Sequence, residues 1–318
     1  MSALPLTIGL NPSPYTQAFD GSVRPKDVEL NLQSRFGEGL DNVGARHRAI
    51  IAGELHGGEL SISSFILARL RGVPLRALPV FLSRRFRLRC MYCRVDSAVT
   101  HPSELAGKSV TVHRYNATTP VWLRGILQDE FGVKPSDLDW YVAEPDIAEE
   151  SLKPPPPEVG VHFITPPRTR EHAVEMVEQG KIEAALEPYH LHDNPKMRYL
   201  MRDFRQAEKQ FFRRTGAYTV NHLFALREET AKEYPAAVKN LFITLKEANS
   251  LANRYRDEKQ KAEAAWEREV MGEEFSYSLK QGCARRSLET LMEYQVQQGI
   301  LDRKPDMEEL FFPETLDV

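Results

Sequence analysis

The chain has 318 residues, 42% of them hydrophobic, enough to bury one large core or two ordinary ones. Forty-two Lys and Arg against 45 Asp and Glu give a formal net charge of −3, without the basic excess that grips a phosphate backbone, so no nucleic-acid partner is expected. No apolar run reaches the roughly 18–20 residues of a membrane span, and three cysteines, Cys90, Cys93 and Cys283, cannot build a disulfide framework, which fits a reducing compartment.

Met1-Ser2-Ala3-Leu4-Pro5 lacks a basic region and a small-residue cleavage site, so a cytoplasmic location is expected. Short apolar runs at residues 4–10 and 28–32 read as strands, followed by a helical pattern over 42–52. A short segment at 60–62 leads into Ser63-Ser64 and the apolar face of Phe65, Ile66, Leu67 and Leu70, closed by Gly72, a cap-serine and terminal-glycine pattern. Residues 78–81 and 90–93 are strand-like. A second α/β unit follows, with a strand at 109–113 and a helix over 120–131 that Thr119 caps, Pro120 opens and Gly132 ends.

Residues 140–142 and 161–164 read as strands, 171–179 as a helix and 182–186 as another strand. Pro154-Pro155-Pro156-Pro157 between them suits neither a helix interior nor a central strand, and reads as an extended surface link. After residues 221–226 the pattern turns helical, with a charged stretch over 255–274 whose mixed signs mark a solvated face. The C-terminal helices are expected to return to the first α/β unit, leaving the second as an insertion between two crossing strands.

Three segments place polar or basic side chains where an open α/β sheet offers its ligand crevice. In the first, residues 59–64, Ser63 and Ser64 serve as caps and leave Glu59 and Ser61 for function. The second, Ser83-Arg84-Arg85-Phe86-Arg87-Leu88-Arg89, has four arginines, whose planar forks suit a carboxylate. Arg84 and Arg87 flank Phe86 and are expected to face the crevice together, whereas Arg85 and Arg89 read as surface charges. The third, Arg114-Tyr115-Asn116-Ala117-Thr118-Thr119, precedes the Pro120 helix, whose positive end suits an anion; the threonines serve either as caps or as anion contacts.

His190 and His192 would share one face of a strand and could hold a metal, yet no spaced third ligand accompanies them, so no metal is expected. Cys90 and Cys93 have redox or zinc spacing without a second pair, and in a strand they point to opposite faces. No phosphate-binding glycine loop, G-x-S-x-G elbow or H-E-x-x-H motif occurs.

Residues 59–65, E-L-S-I-S-S-F, resemble the E-M-S-L-S-S-Y segment of the 4,5-dihydroxyphthalate decarboxylases. Residues 80–87, V-F-L-S-R-R-F-R, are similar to that family's V-F-P-S-R-x-F-R, and Tyr115 to Thr118 with Val121 to Gly125 are similar to Y-Q-x-T-x-x-V-W-x-R-G. Arg214-Thr215-Gly216 with His222 resembles R-T-G-I-F-P-I-M-H, and residues 308–316 resemble the closing E-E-L-F-x-P-S-T-L. The chain departs from the pattern at Leu88 in place of His, Arg114 in place of Glu, Asn116 in place of Gln, and Pro14-Tyr15-Thr16 where the family has Y-D-R-T. Such changes leave the substrate's ring pattern open.

The resemblance implies an α/β, two-lobed type 2 periplasmic-binding-protein-like fold, each lobe a sheet flanked by helices, with two crossing strands as a hinge. Its lobes would be residues 1–95 with 220–318, and residues 96–219, with the ligand between them. It implies non-oxidative decarboxylation of a hydroxylated aromatic acid, 4,5-dihydroxyphthalate to 3,4-dihydroxybenzoate, with no cofactor. In that reading His222 is the general acid or base and Glu59 its partner or the group that binds a ring hydroxyl. Arg84 and Arg87 would grip carboxylates, and Ser61, Ser83, Tyr115, Asn116, Thr118 and Thr119 would fix the ring. The expected partners are a small aromatic carboxylate and further copies of the chain, a homo-oligomer, without nucleic acid or membrane. The alternatives are a solute-binding protein that delivers an aromatic acid to a transporter, and a metal-assisted catechol enzyme using His190 and His192.

Overall fold

A computed structural model describes residues 4–33, 43–144, 155–188 and 191–316. In chain order the strands are β1 (Leu4–Gly9), β2 (Val28–Gln33), β3 (Gly57–Ser61), β4 (Leu75–Arg84), β5 (Met91–Arg94), β6 (Ser109–Val112), β7 (Asp139–Val142), β8 (Val161–Phe163), β9 (Ala184–Leu186), β10 (Met197–Tyr199) and β11 (Val220–Arg227). The helices are α1 (Pro14–Gln17), α2 (Val43–Ala52), α3 (Ile62–Leu70), α4 (Thr118–Phe131), α5 (Arg170–Glu178), α6 (Phe204–Thr215), α7 (Glu228–Glu233), α8 (Pro235–Leu251), α9 (Glu258–Met271), α10 (Cys283–Gln297) and α11 (Met307–Leu310). None of the described helices is long and apolar enough to cross a membrane.

The chain divides into two compact units, Met1–Arg85 with Val220–Arg286 and Pro305–Val318, and Phe86–Thr219 with Ser287–Lys304. This differs from the sequence-based boundaries in two places. Residues 86–95 fall in the second unit because β5 is hydrogen-bonded between β9 and β10. Residues 287–304 fall there because α10 and its continuation bond to α4: Tyr294 donates to Asp129 Oδ2 at 2.9 Å, and Gln298 Nε2 to the Val121 carbonyl at 2.9 Å.

The first unit holds a five-stranded sheet of order β2-β1-β3-β11-β4, with β1 parallel to β2 and β3, and β11 antiparallel to both its neighbours. Alternate residues on its strands, Leu6 and Ile8, Leu78, Val80 and Leu82, Phe224 and Leu226, form one cluster with Val238, Leu241, Phe242 and Leu245 of α8. That helix carries its apolar residues at the three-and-four spacing of a face turned to a core. Where β1 meets β3 the backbones nearly touch. Gly58 has φ +149°, and a Cβ there would lie 2.2 Å from the Gly9 carbonyl oxygen, so only glycine fits and β3 is drawn against the end of β1.

The second unit holds a six-stranded sheet of order β10-β5-β9-β6-β7-β8, parallel from β9 through β8 and antiparallel at β5 and β10. Its cluster joins Tyr92, Ala143, Ile164, Ile182, Ala185 and Met197 to Ala173 and Val177 of α5. Gly125 sits in the middle of α4, where it would ordinarily cost about 1 kcal/mol relative to alanine. A Cβ there would lie 2.2 Å from the Tyr294 ring, so the missing side chain makes room for that ring.

Several element limits differ from the sequence pattern. Helix α3 starts at Ile62, so Ser63 and Ser64 are buried in its first turn instead of capping it. Helix α4 starts at Thr118 behind Ala117, whose methyl cannot accept a hydrogen bond, so Thr119 is not the cap. Helix α9 has no buried residue, as the charge pattern over 255–274 anticipates. Pro155, Pro156 and Pro157 lie in neither helix nor strand; Pro154 is outside the described residues.

Candidate active site

Strand register in the first unit sets three polar side chains side by side. His222 on β11 pairs with Ser61 on β3 and with Ser83 on β4, so two seryl hydroxyls flank an imidazole across three neighbouring strands. Glu59, two residues before Ser61, projects to the same face as Ser61. Its carboxylate Oε1 lies 2.7 Å from His222 Nδ1. The carboxylate is buried at 2% exposure, whereas the imidazole is 13% exposed and remains reachable.

Side chains from distant segments hold this pair. The Asn11 backbone N–H donates to Glu59 Oε2 at 3.1 Å, and the Tyr15 hydroxyl donates to the same oxygen. Arg46 of α2 donates to Asn11 Oδ1, which turns the Asn11 amide nitrogen toward His222 Nδ1 at 3.4 Å. Of the two neighbours of Nδ1, the carboxylate is much the nearer, so Nδ1 carries a proton and donates to Glu59, leaving Nε2 for chemistry. The buried ring of His47 meets His222 edge-on, centroids 5.2 Å apart.

Burial pushes the Glu59 carboxyl up. The hydrogen bond and charge of His222, the Tyr15 hydroxyl and the Asn11 N–H together outweigh burial and hold the group below its ordinary 4.5. Burial, then the charge and hydrogen bond of Glu59, drive Tyr15 well above its ordinary 10.0. Tyr15 is therefore a hydrogen-bond donor over the whole working pH range and not a base.

Arg84 ends β4 opposite Val220. Its guanidinium lies over the Phe275 and Tyr277 rings, 4.8 and 5.6 Å from their centroids, and Nη1 donates to the Phe81 carbonyl at 2.5 Å. Arg84 belongs to the first unit and Arg87 to the second, where it is buried at 2% exposure. Arg89 is no surface charge: it forms a buried ion pair with Glu208, Nη2 to Oε2 at 2.8 Å and Nε to Oε1 at 3.3 Å.

In the second unit Tyr115, Asn116, Thr118 and Thr119 form one buried stretch running from the end of β6 into the first turn of α4. Arg124, fully buried one and a half turns into that helix, fastens the stretch. Its Nη1 donates to the Tyr115 carbonyl at 2.8 Å, its Nε donates to Gln298 Oε1 at 2.8 Å, and its guanidinium stacks 3.8 Å from the Tyr115 ring centroid. A second histidine–carboxylate contact lies at the ends of β6 and β9, where His113 Nδ1 is 3.3 Å from Glu187 Oε2. Arg170 Nε shares that oxygen at 3.5 Å, so this carboxylate already has a permanent cation. The Glu59–His222 pair is shorter and is the better placed of the two to pass a proton.

His190 and the His192 side chain lie outside the described residues. Among the described residues no group of three or more His, Cys, Asp or Glu is disposed to hold a metal. Cys90, Cys93 and Cys283 are buried and are not joined in disulfides, and burial raises the Cys93 thiol above its ordinary value.

No family model matches the chain. Over 186 residues it is 32% identical to the 4,5-dihydroxyphthalate decarboxylase of Comamonas testosteroni, covering 56% of this chain and 55% of that protein. Over 164 residues it is 32% identical to the 4,5-dihydroxyphthalate decarboxylase of Pseudomonas putida, covering 49% of this chain and 62% of that protein. The chain is similar in sequence to 4,5-dihydroxyphthalate decarboxylases. The match spans about half the length of the first of these curated relatives and less than two thirds of the second.

Solved structures give the fold. The periplasmic aliphatic sulphonate binding protein of Escherichia coli is 14% identical with a TM-score of 0.57, covering 98% of this chain and 92% of that one. A putative periplasmic sulphonate-binding protein of Methylobacillus flagellatus is 11% identical with a TM-score of 0.58, covering 99% of this chain and 94% of that one. At such identities the likeness establishes the periplasmic-binding-protein fold and nothing finer.

Where the chain departs from the 4,5-dihydroxyphthalate decarboxylase pattern, the substituted residues have structural partners. Leu88 is buried at the start of a 3₁₀ turn, Leu88–Cys90, and Arg114 donates to the Glu144 carboxylate. Tyr15, which the pattern match left as a faint remnant, is the side chain that meets Glu59. Arg124 matches the arginine of the family's V-W-x-R-G segment without a role being assigned to it, whereas Asn11, Arg46 and His47 carried no signal in the sequence, because each acts through a partner that only the fold brings near.

Proposed function

We propose that the chain is a non-oxidative decarboxylase of a hydroxylated aromatic carboxylic acid, with 4,5-dihydroxyphthalate as parent substrate and 3,4-dihydroxybenzoate as product. The observation that carries this reading is the buried Glu59–His222 pair flanked by Ser61 and Ser83, in a chain whose curated relatives are named as decarboxylases.

A ring hydroxyl para to the departing carboxylate pushes electron density to the ipso carbon. His222 in its imidazolium form, stabilised through Nδ1 by Glu59, donates the Nε2 proton to that carbon. A C–H bond forms, the C–C bond to the carboxylate breaks with its electron pair returning to the ring, and carbon dioxide leaves. A proton from water restores the imidazolium, so the reaction needs no oxidant and no electron-sink cofactor.

Ser61 and Ser83 hydrogen-bond substrate oxygens beside the imidazole, and Arg84, oriented by Phe275 and Tyr277, attracts carboxylate charge. Within the second unit, Arg87, Tyr115, Asn116, Thr118 and Thr119 are assigned to anion binding. The support is the burial of Tyr115, Asn116, Thr118 and Thr119 at and just before the first turn of α4, whose positive end favours an anion, and the buried guanidinium of Arg87.

A second reading is a solute-binding protein for an aromatic acid, supported by binding proteins of the same fold that align with nearly the whole chain. One assay separates the two: incubation with a panel of hydroxylated benzene mono- and dicarboxylates, with released carbon dioxide and calorimetric binding measured side by side. The enzyme reading requires carbon dioxide from at least one compound, and a loss of about 10²- to 10⁴-fold in kcat for His222→Ala with binding retained. Tight binding of one compound without release from any would establish the binder.

A further inference from the structure

Tyr15 presents a question that packing alone does not answer. Its ring belongs to the apolar cluster that includes Ile8, Leu10, Leu82 and Phe224, where a phenylalanine would serve as well. The hydroxyl, costly to bury without a partner, is spent on one acceptor of the Glu59 carboxylate. It takes Oε2, the oxygen that His222 does not use.

The turn around Tyr15 is built to hold that geometry. Pro14 opens the turn, Ser13 Oγ accepts from the Thr16 N–H at 3.3 Å, and Thr16 Oγ1 donates to the Asn11 carbonyl at 2.6 Å. The same Asn11 donates its own N–H to Glu59 Oε2. One short segment, residues 11–16, therefore fixes one oxygen of the carboxylate from two directions and leaves the other to the imidazole.

We propose that Tyr15 is a positioning residue of the Glu59–His222 pair, pinning the plane of the carboxylate and favouring its charged form so that Oε1 stays aimed at Nδ1. Its catalytic meaning rests on the reading of that pair as the proton-handling groups; its effect on Glu59 does not. Among the described residues, the further charged or titratable groups against the pair are Arg46 of α2, which acts through the Asn11 amide, and His47, which meets His222 edge-on. Tyr15→Phe removes the hydroxyl's bond to Glu59 without deleting either group.

The test is Tyr15→Phe in the full chain. The hydrogen bond to a charged group is expected to move the acid limb of kcat for carbon dioxide release upward by about one to two pH units, with KM within about twofold of wild type. Carbon-13 NMR of carboxyl-labelled glutamate, with Glu59→Gln to assign the Glu59 signal, should show its titration midpoint rising by the same interval. Unchanged midpoints in a folded Tyr15→Phe protein would overturn the proposal. Ser13→Ala, which loosens the turn and leaves the tyrosine, should move the midpoint in the same direction by less, and a null result there would overturn it were Tyr15→Phe unable to fold. The NMR readout needs no turnover, so it decides the positioning role even where the decarboxylase reading fails.

Discussion

Replacing Glu59 by glutamine is the sharpest perturbation the site allows. The change is nearly isosteric, so the buried volume and the β3–β11 register are kept, while a negative charge is removed 2.7 Å from His222 Nδ1. Tyr15 and the Asn11 N–H both donate to Oε2, so the new amide must present its oxygen to them and its nitrogen to the imidazole. Two donors then face each other across Nδ1 unless the ring gives up that proton, and the imidazolium loses its counter-ion. Removing one partner of a buried ion pair costs about 3–5 kcal/mol. At 1.4 kcal/mol per decade, and with part of that cost shared by the resting state, a fall of about 10²- to 10³-fold in kcat is expected, with little change in KM. Steady-state carbon dioxide release at neutral pH measures it, with cooperative unfolding as the check on folding. A kcat within threefold of wild type would refute the assignment of Glu59 as the partner that sustains the proton donor.

The same variant tests the charge of Glu59 through stability. A carboxyl held below its ordinary 4.5 contributes stability that is fully present above that value and is lost as pH falls through the folded-state value. The difference in urea midpoint between wild type and Glu59→Gln should therefore shrink as the pH is taken below 4.5, and a constant difference would mean that Glu59 is not charged in the fold. In α4, Gly125→Ala should destabilise by about 1–3 kcal/mol despite the better helix propensity of alanine, because its Cβ would meet the Tyr294 ring. Pairing it with Tyr294→Ala should recover the ordinary gain of about 1 kcal/mol, read from denaturant titrations of the four proteins.

Most of the strand and helix order was legible because its signals are local. The alternation of Leu6 and Ile8, the face of α3 and the glycine after α4 each depend on a few neighbouring residues. The pairing of Glu59 with His222 spans 163 positions and is set by the register of β3 on β11, which no short pattern encodes. Both residues were singled out from chemistry and resemblance; of their supports, Tyr15 showed only as a faint trace of the family's Y-D-R-T, and Asn11 and Arg46 not at all, since an asparagine after a strand or an arginine in a helix looks like ordinary surface. Arg89 was misread for the same reason: its partner Glu208 lies 119 positions away on α6, a helix with no anticipated counterpart. The α10 region was assigned to the first unit because helical composition says nothing about which sheet a helix serves.

That last feature sets a limit on how the polypeptide can be cut or made. Residues 86–219 look like a self-sufficient insert, yet the stretch that Arg124 fastens depends on Gln298, and the notch at Gly125 is filled by Tyr294. During synthesis, these partners leave the ribosome more than 150 residues after the helix they complete, so α4 must wait with an unfilled flank while the intervening chain is built. An expression fragment ending at residue 219 would carry that vacancy permanently, whereas a gene fusion that joins residues 287–304 to its end would supply the missing brace.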